Sequence, residues 1–249
     1  MFKISFKQLF KSTLLVSALA IPSTALATKV VFETSEGSIE VNLFDNGTPK
    51  TVENFLSYVN DGSYNDTIIH RSVPGFITQG GGFSFEGSLN LNKLPTKPSV
   101  INEPIYSNRR GTIAMAKLSG QPNSATNQWF FNLDNNQANL DVQNSGFTVF
   151  GQVIEGMDIV DNIASISLCN SVPMPNYNCG SGDVPGVENF VTIYSITISD
   201  TSINTISALN PIVEPIIIDK VTPKNSGGST SLFTLFTLSL LILNRRRLN

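Results

Sequence analysis

The feature that most constrains the fold is a succession of short β-favouring runs, each ended by Gly, Pro or Asn, with helical periodicity in only two places. Between residues 28 and 200 the runs are "KVVFETSEGSIEVNLF", "DTIIHRSV", "GTIAMA", "NQWFFNL", "FTVFGQV" and "NFVTIYSITI". Many short strands broken by turn residues, with only two helices between them, indicate a closed barrel or a sandwich. The first run turns at Ser35-Glu36-Gly37, a hairpin signature. One helix is predicted in "GTPKTVENFLSYVNDGSY", with Thr48 as cap, Pro49 at the first position and Gly62 at the stop. Its Val52, Phe55, Leu56 and Val59 follow the spacing of one buried face. A second, shorter helix is predicted in "GMDIVDNIAS", where Met157, Val160, Ile163 and Ala164 share a face.

At 249 residues, 41% hydrophobic and 14% charged, the chain suits one domain, placed at residues 28–200, with appendages at both ends. Residues 1–27 carry Lys3, Lys7 and Lys11, an apolar run from Leu14 to Ile21, and Ala25-Leu26-Ala27, the three-part pattern of a secretory signal peptide. The apolar run is shorter than the roughly 20 residues a bilayer span requires. Residues 201–226 lack a clear period and contain prolines, and read as a linker or stalk. Residues 227–249 join Gly227-Gly228 to an apolar segment ending at Leu243, followed by Arg245, Arg246 and Arg247. Arginines so placed favour the cytoplasmic side of a membrane. This tail resembles the GlyGly-type sorting signal of Gram-negative bacteria, which a rhomboid-like intramembrane protease cuts. A plain tail anchor has the same chemistry, and the two alternatives stay open. Either places the body in the periplasm or cell envelope.

Charge narrows the partners, and cysteine usage agrees with export. The formal charge is −3, but residues 1–27 hold three lysines and no acid, so the remainder would carry −6. An acidic body without a basic run outside its termini argues against nucleic acid as a partner, because such partners require clustered Lys and Arg. Cys169 and Cys179 lie in the polar stretch "LCNSVPMPNYNCGSG". In an oxidising compartment that pair reads as a disulfide closing a short loop, worth roughly 3 kcal/mol by loop entropy. Two cysteines with no nearby His make a poor zinc site.

The sequence excludes several kinds of chemistry. His70 is the only histidine, no serine sits in a Gly-x-Ser-x-Gly elbow, and there is no phosphate loop and no metal-spaced ligand set. No cofactor is implied. The triple glycine at 80–82 reads as a bend where backbones approach closely. What remains is Arg71 beside Phe76, Ile77 and Gln79, with Gln128 and Phe130 sharing a face of a later strand and Leu140 and Phe147 adding apolar bulk. Strand alternation puts Arg71 on the face opposite His70. Two readings stay open at this level: a shallow pocket with a guanidinium at its edge, or a salt-bridged Arg above an aromatic core.

The blocks "YNDTIIHRSVPGFITQGGGF", "GTIAMA", "SATNQWFFNL" and "FTVFGQVIEGMDIVD" resemble the signature blocks of the cyclophilins, most closely the exported bacterial branch, over roughly residues 29–199. The resemblance implies a closed eight-stranded antiparallel barrel capped by two helices, with the groove for proline-containing polypeptides on its outside. It also implies a monomer catalysing cis-trans rotation about Xaa-Pro bonds and assisting the folding of exported proteins. Position by position, Arg71 matches the catalytic arginine. Phe76, Ile77, Gln79, Gln128, Phe130, Leu140 and Phe147 match the lining around the substrate proline, and Ala116 and Lys117 match the groove edge that pairs with substrate backbone. His70 matches a supporting histidine. Four departures are visible. Asn139 stands where many eukaryotic members carry Trp, Phe147 where some carry His, and the segment after Ala116 is slightly longer than in relatives. Trp129, in place of the usual Phe, is expected to point into the barrel.

Overall fold

The computed structural model describes residues 28–87, 90–200 and 212. The expected signal segment, almost all of the stalk and the C-terminal segment lie outside the described residues. The elements are β1 (Lys29–Thr34), β2 (Gly37–Leu43), α1 (Pro49–Asn60), β3 (Thr67–Ile68), β4 (Arg71–Val73), β5 (Ile77–Gly80), β6 (Phe83–Ser84), β7 (Asn92–Lys93) and β8 (Thr112–Met115). They continue with β9 (Trp129–Asn132), α2 (Gln137–Leu140), β10 (Val149–Glu155), α3 (Met157–Ser165), β11 (Leu168–Cys169), β12 (Val172–Pro173) and β13 (Thr192–Asp200).

Among the described residues eleven strands form one antiparallel sheet in the order β4-β5-β9-β8-β10-β2-β1-β13-β3-β6-β7, and β11 and β12 form a separate hairpin. The expectation of a closed eight-stranded barrel is therefore corrected, while the two expected helices are present as α1 and α3. The sheet is mainly β and curled, but its ladder is open, has eleven members, and is accompanied by a third, one-turn helix, α2. The physical reason lies in "TIIHRS", predicted as one strand. It breaks at Ile69-His70, so that β3 pairs with β13 while β4 pairs with β5. Across the break the Ile69 N–H donates to the Val191 carbonyl at 2.9 Å and the His70 N–H to the Gln79 carbonyl at 3.1 Å. The chain thus steps from one flank of the curled sheet to the other within two residues.

The inner face is aromatic. Trp129 is fully buried, as expected, and meets Phe32 at 5.1 Å and Phe131 at 5.2 Å, both edge-on. Helix α1 sends Phe55 onto Phe32 and Phe150, at 6.1 and 5.1 Å between centroids. Its buried residues are Thr51, Val52, Phe55, Tyr58 and Val59, with Leu56 packed at the margin. Thr48 stands at the N-cap, but its hydroxyl turns to the Phe44 carbonyl. The capping oxygens come from Glu103 instead, which accepts from the N–H of Thr51 at 2.8 Å and of Lys50 at 3.3 Å. A carboxylate there also meets the positive end of the helix dipole. In α3, Val160 and Ile163 are buried and Met157 and Ala164 pack beside them.

The triple glycine lets β5 cross Trp129 and Gln128 at close range. A Cβ at Gly80 would lie 2.8 Å from the indole, and one at Gly82 would lie 2.7 Å from the Gln128 carboxamide. Gly81 is more constrained, with φ +78° and a Cβ position only 2.5 Å from the rigid Asn127 carbonyl. Gly81→Ala is accordingly expected to destabilise the domain by about 1–3 kcal/mol. Urea unfolding checks this, and an unchanged midpoint contradicts it.

Candidate active site

Strand register assembles the site. Arg71 in β4 pairs with Gln79 in β5, Gln79 with Phe130 in β9, Phe130 with Ala114 in β8, and Ala114 with Val149 in β10. Alternation sends this row to the outer face, opposite the row of Thr78, Phe131 and Ile113. The outward residues build their own apolar cluster, separate from the main core: Phe44, Ile77, Ala114, Phe130, Leu140 and Val149 are buried in it, with Phe76, Tyr106, Ala116 and Phe147 packed around them. Phe130 and Phe147 meet edge-on at 5.9 Å. The apolar residues proposed from sequence, Phe76, Ile77, Phe130, Leu140, Phe147 and Ala116, are therefore brought together. Phe44, Tyr106, Ala114 and Val149 were not expected, because they lie in runs that read simply as strand or loop.

A polar arm flanks this surface. Arg71 Nη1 donates to Gln79 Oε1 at 3.3 Å, and Gln79 Nε2 donates to Gln128 Oε1 at 2.8 Å. The guanidinium is half-buried, and the loss of hydration lowers its pKa from the usual value. Arginine starts so high that it keeps its charge. His70 packs edge-on against Phe83 at 4.8 Å, with Nδ1 enclosed and without a hydrogen-bond partner. Burial pushes the imidazole down to about 4, although the Gln128 side chain and the Ile68 backbone favour the charged form. His70 is therefore neutral at physiological pH, touching the arm at Gln128 rather than serving as a base. On the other side of the cluster, Lys117 places Nζ 4.8 Å from the Phe147 ring centroid. The Ala116 N–H is used within the sheet, by the Gln128 carbonyl at 2.9 Å.

Beneath the apolar surface runs a chain of buried amides. Asn136 Nδ2 donates to the Phe76 carbonyl and to Asn132 Oδ1, both at 2.8 Å. Asn132 Nδ2 donates to Asn108 Oδ1 at 3.1 Å, and Asn108 Nδ2 donates to the Phe147 carbonyl at 3.0 Å and to Asp141 at 2.8 Å. The main-chain positions of Phe76 and Phe147 are thereby tied together from below. These asparagines were missed because "NLDNNQAN" reads as a polar loop and Asn108 is remote in sequence.

At the outer edge of β4, the Ser72 N–H donates to the Ser171 carbonyl at 2.7 Å. Ser171 lies in the β11–β12 turn, where Asn170 and Ser171 have φ of 51° and 73°, as a two-residue hairpin turn requires. The expected Cys169–Cys179 disulfide is present and closes this loop.

Comparison with known proteins agrees with this geometry. The sequence model of the family described as "Cyclophilin type peptidyl-prolyl cis-trans isomerase/CLD" matches residues 29–180. The chain is 43% identical to the peptidyl-prolyl cis-trans isomerase of Acinetobacter baylyi over 155 residues, 61% of this chain and 81% of that protein. It is 39% identical to peptidyl-prolyl cis-trans isomerase B of Escherichia coli over 175 residues, 69% of this chain and 99% of that one. Among solved structures, a Cryptosporidium parvum cyclophilin-type isomerase crystallised in the presence of the dipeptide Ala-Pro superposes with a TM-score of 0.53. That match, at 24% identity, covers 70% of this chain and 99% of the other, and bears on the fold. The chain belongs to the cyclophilin-type peptidyl-prolyl cis-trans isomerases, enzymes of class EC 5.2.1.8.

The depressed pKa of His70 has a consequence for stability. Between 6.5, the ordinary value, and about 4, the folded value, protons bind the unfolded chain in preference. The stability associated with His70 is complete above 6.5 and is lost as pH falls through that window. Urea unfolding at pH 7 and pH 4.5 is expected to show a smaller acid loss in His70→Phe than in the parent chain; equal losses contradict this assignment.

Proposed function

We propose that Arg71 is the catalytic residue and that Phe76, Ile77, Gln79, Gln128, Phe130, Leu140 and Phe147 receive the substrate proline, with Ala116 and Lys117 along the groove edge. The observation that carries this reading is the row Arg71–Gln79–Phe130, which sets a guanidinium beside an outward-facing apolar cluster. The amide before proline is held planar by resonance, with a barrier of about 18–20 kcal/mol. No covalent bond is broken on rotation, so neither a nucleophile nor a general base is required. The catalyst must bind the twisted state more tightly than the planar one. In the twisted state the nitrogen becomes pyramidal and accepts a hydrogen bond, which a rigid, permanently charged guanidinium can supply. Gln79 positions that guanidinium, and the aromatic wall holds the ring while the preceding residue rotates. A rate gain of about 10⁵ corresponds to about 7 kcal/mol, the scale of one charged donor in a desolvated, oriented site.

The substrates in this reading are Xaa-Pro segments of exported proteins, met in the periplasm or at the envelope. The signal-like residues 1–27 and a disulfide in a short exposed loop support that placement. The C-terminal segment then either holds the enzyme at the membrane or is removed by a rhomboid-like protease. In a proline-tetrapeptide isomerisation assay, Arg71→Ala is expected to lose about 100-fold or more of kcat/KM, on the scale of a removed charged donor. Its thermal midpoint should stay close to the parent's. A large loss of stability with catalysis retained would show instead that Arg71 is structural.

A further inference from the structure

Lys117 has a side chain placed for more than bordering the groove. Its ammonium carries three N–H donors. Two contacts are internal: Nζ donates to the carbonyls of Asn144 at 3.0 Å and Gly146 at 2.5 Å, both in the loop leading to Phe147. The same nitrogen lies over the Phe147 ring, 4.8 Å from its centroid. Among the described residues no carboxylate lies within ion-pair reach of it. Burial alone pushes the amine down to about 8, with no acid drawing it back up. A half-buried cation in an otherwise acidic body, fixed by two carbonyls and a ring and lacking an internal counter-ion, is incompletely compensated. An anion supplied from outside would complete that compensation.

The position of that anion follows from the wall. Phe147 and Phe130 stand 5.9 Å apart and form the apolar surface assigned to the proline ring. An ammonium directly on Phe147 is therefore reached by a substrate side chain within about two residues of the proline, since extended chain advances roughly 3.3–3.6 Å per residue. We propose that Lys117 is a specificity-determining residue that selects prolyl segments bearing an Asp or Glu within two residues of the proline. This rests on the groove assignment above.

The test uses the enzyme with tetrapeptides and pentapeptides carrying Glu, Ala or Lys at each position within two residues of the proline, in the parent chain, Lys117→Gln and Lys117→Arg. At one of these positions the parent is expected to prefer Glu over Lys by about fivefold in kcat/KM, the scale of a partly exposed ion pair. The ratio should fall toward one in Lys117→Gln and at about 0.5 M salt, and persist in Lys117→Arg. Because the readout is a ratio within one enzyme, a general loss of activity in a variant does not imitate it. A parent with no Glu preference at any position, or a preference unchanged in Lys117→Gln, overturns the proposal while leaving the isomerase reading intact. Failure to accelerate even the Ala peptides overturns both.

Discussion

Strand pairing sets Arg71, Gln79 and Phe130 side by side across β4, β5 and β9, and the geometry of the candidate site follows from that register. Because side chains alternate faces along each strand, a slip of one residue would carry Arg71 inward and Phe131 outward. The register is held from both faces. Inside, Trp129 and Phe131 lock β9 to Phe32. Outside, Phe130 and Ile77 are buried in the apolar cluster on which Phe76 and Phe147 pack. The glycines at 80–82 are the sterically costly part of this arrangement: they admit a Trp beneath β5 and leave Gln128 room to meet Gln79.

Rigidity of the apolar wall has a polar origin. Phe76 and Phe147 come from separate loops that pack on the cluster, and aromatic contact alone leaves such loops free to shift. The Asn136–Asn132–Asn108 chain fixes their carbonyls at its two ends, with Asp141 and Thr112 satisfying amides along the way. Buried amides are unfavourable unless paired, and the Nδ2 groups of Asn136, Asn132 and Asn108 each are, so the cost of desolvation becomes positional order. An enzyme that works by preferring a twisted amide requires such order, since a wall that yields would accommodate the planar and twisted states equally.

Much of this was legible before any coordinates. The Ser35–Gly37 hairpin, both amphipathic helices and the disulfide follow from local pattern, because hairpin turns, 3.6-residue spacing and loop cysteines are short-range signals, whereas the inward Trp129 follows from the family resemblance. The rest depends on contacts distant in sequence. Glu103 caps α1 across more than fifty residues, in place of the adjacent Thr48, and no nearest-neighbour rule anticipates that. The break at Ile69-His70 is invisible in a run of β-favouring residues, yet it gives the open eleven-strand ladder in place of a closed barrel of eight. At the site, period-two alternation placed Arg71 opposite His70 but left open whether it faced a pocket or a core. The family blocks, not the pattern, pointed to the pocket.

A crystal structure of the domain soaked with an Ala-Pro dipeptide tests the central claim most directly. The account predicts the pyrrolidine ring against Phe130 and Phe147, with the prolyl nitrogen within hydrogen-bonding reach of the Arg71 guanidinium. A proline seated elsewhere, or one seated in the cluster with Arg71 turned away from it, would contradict the account.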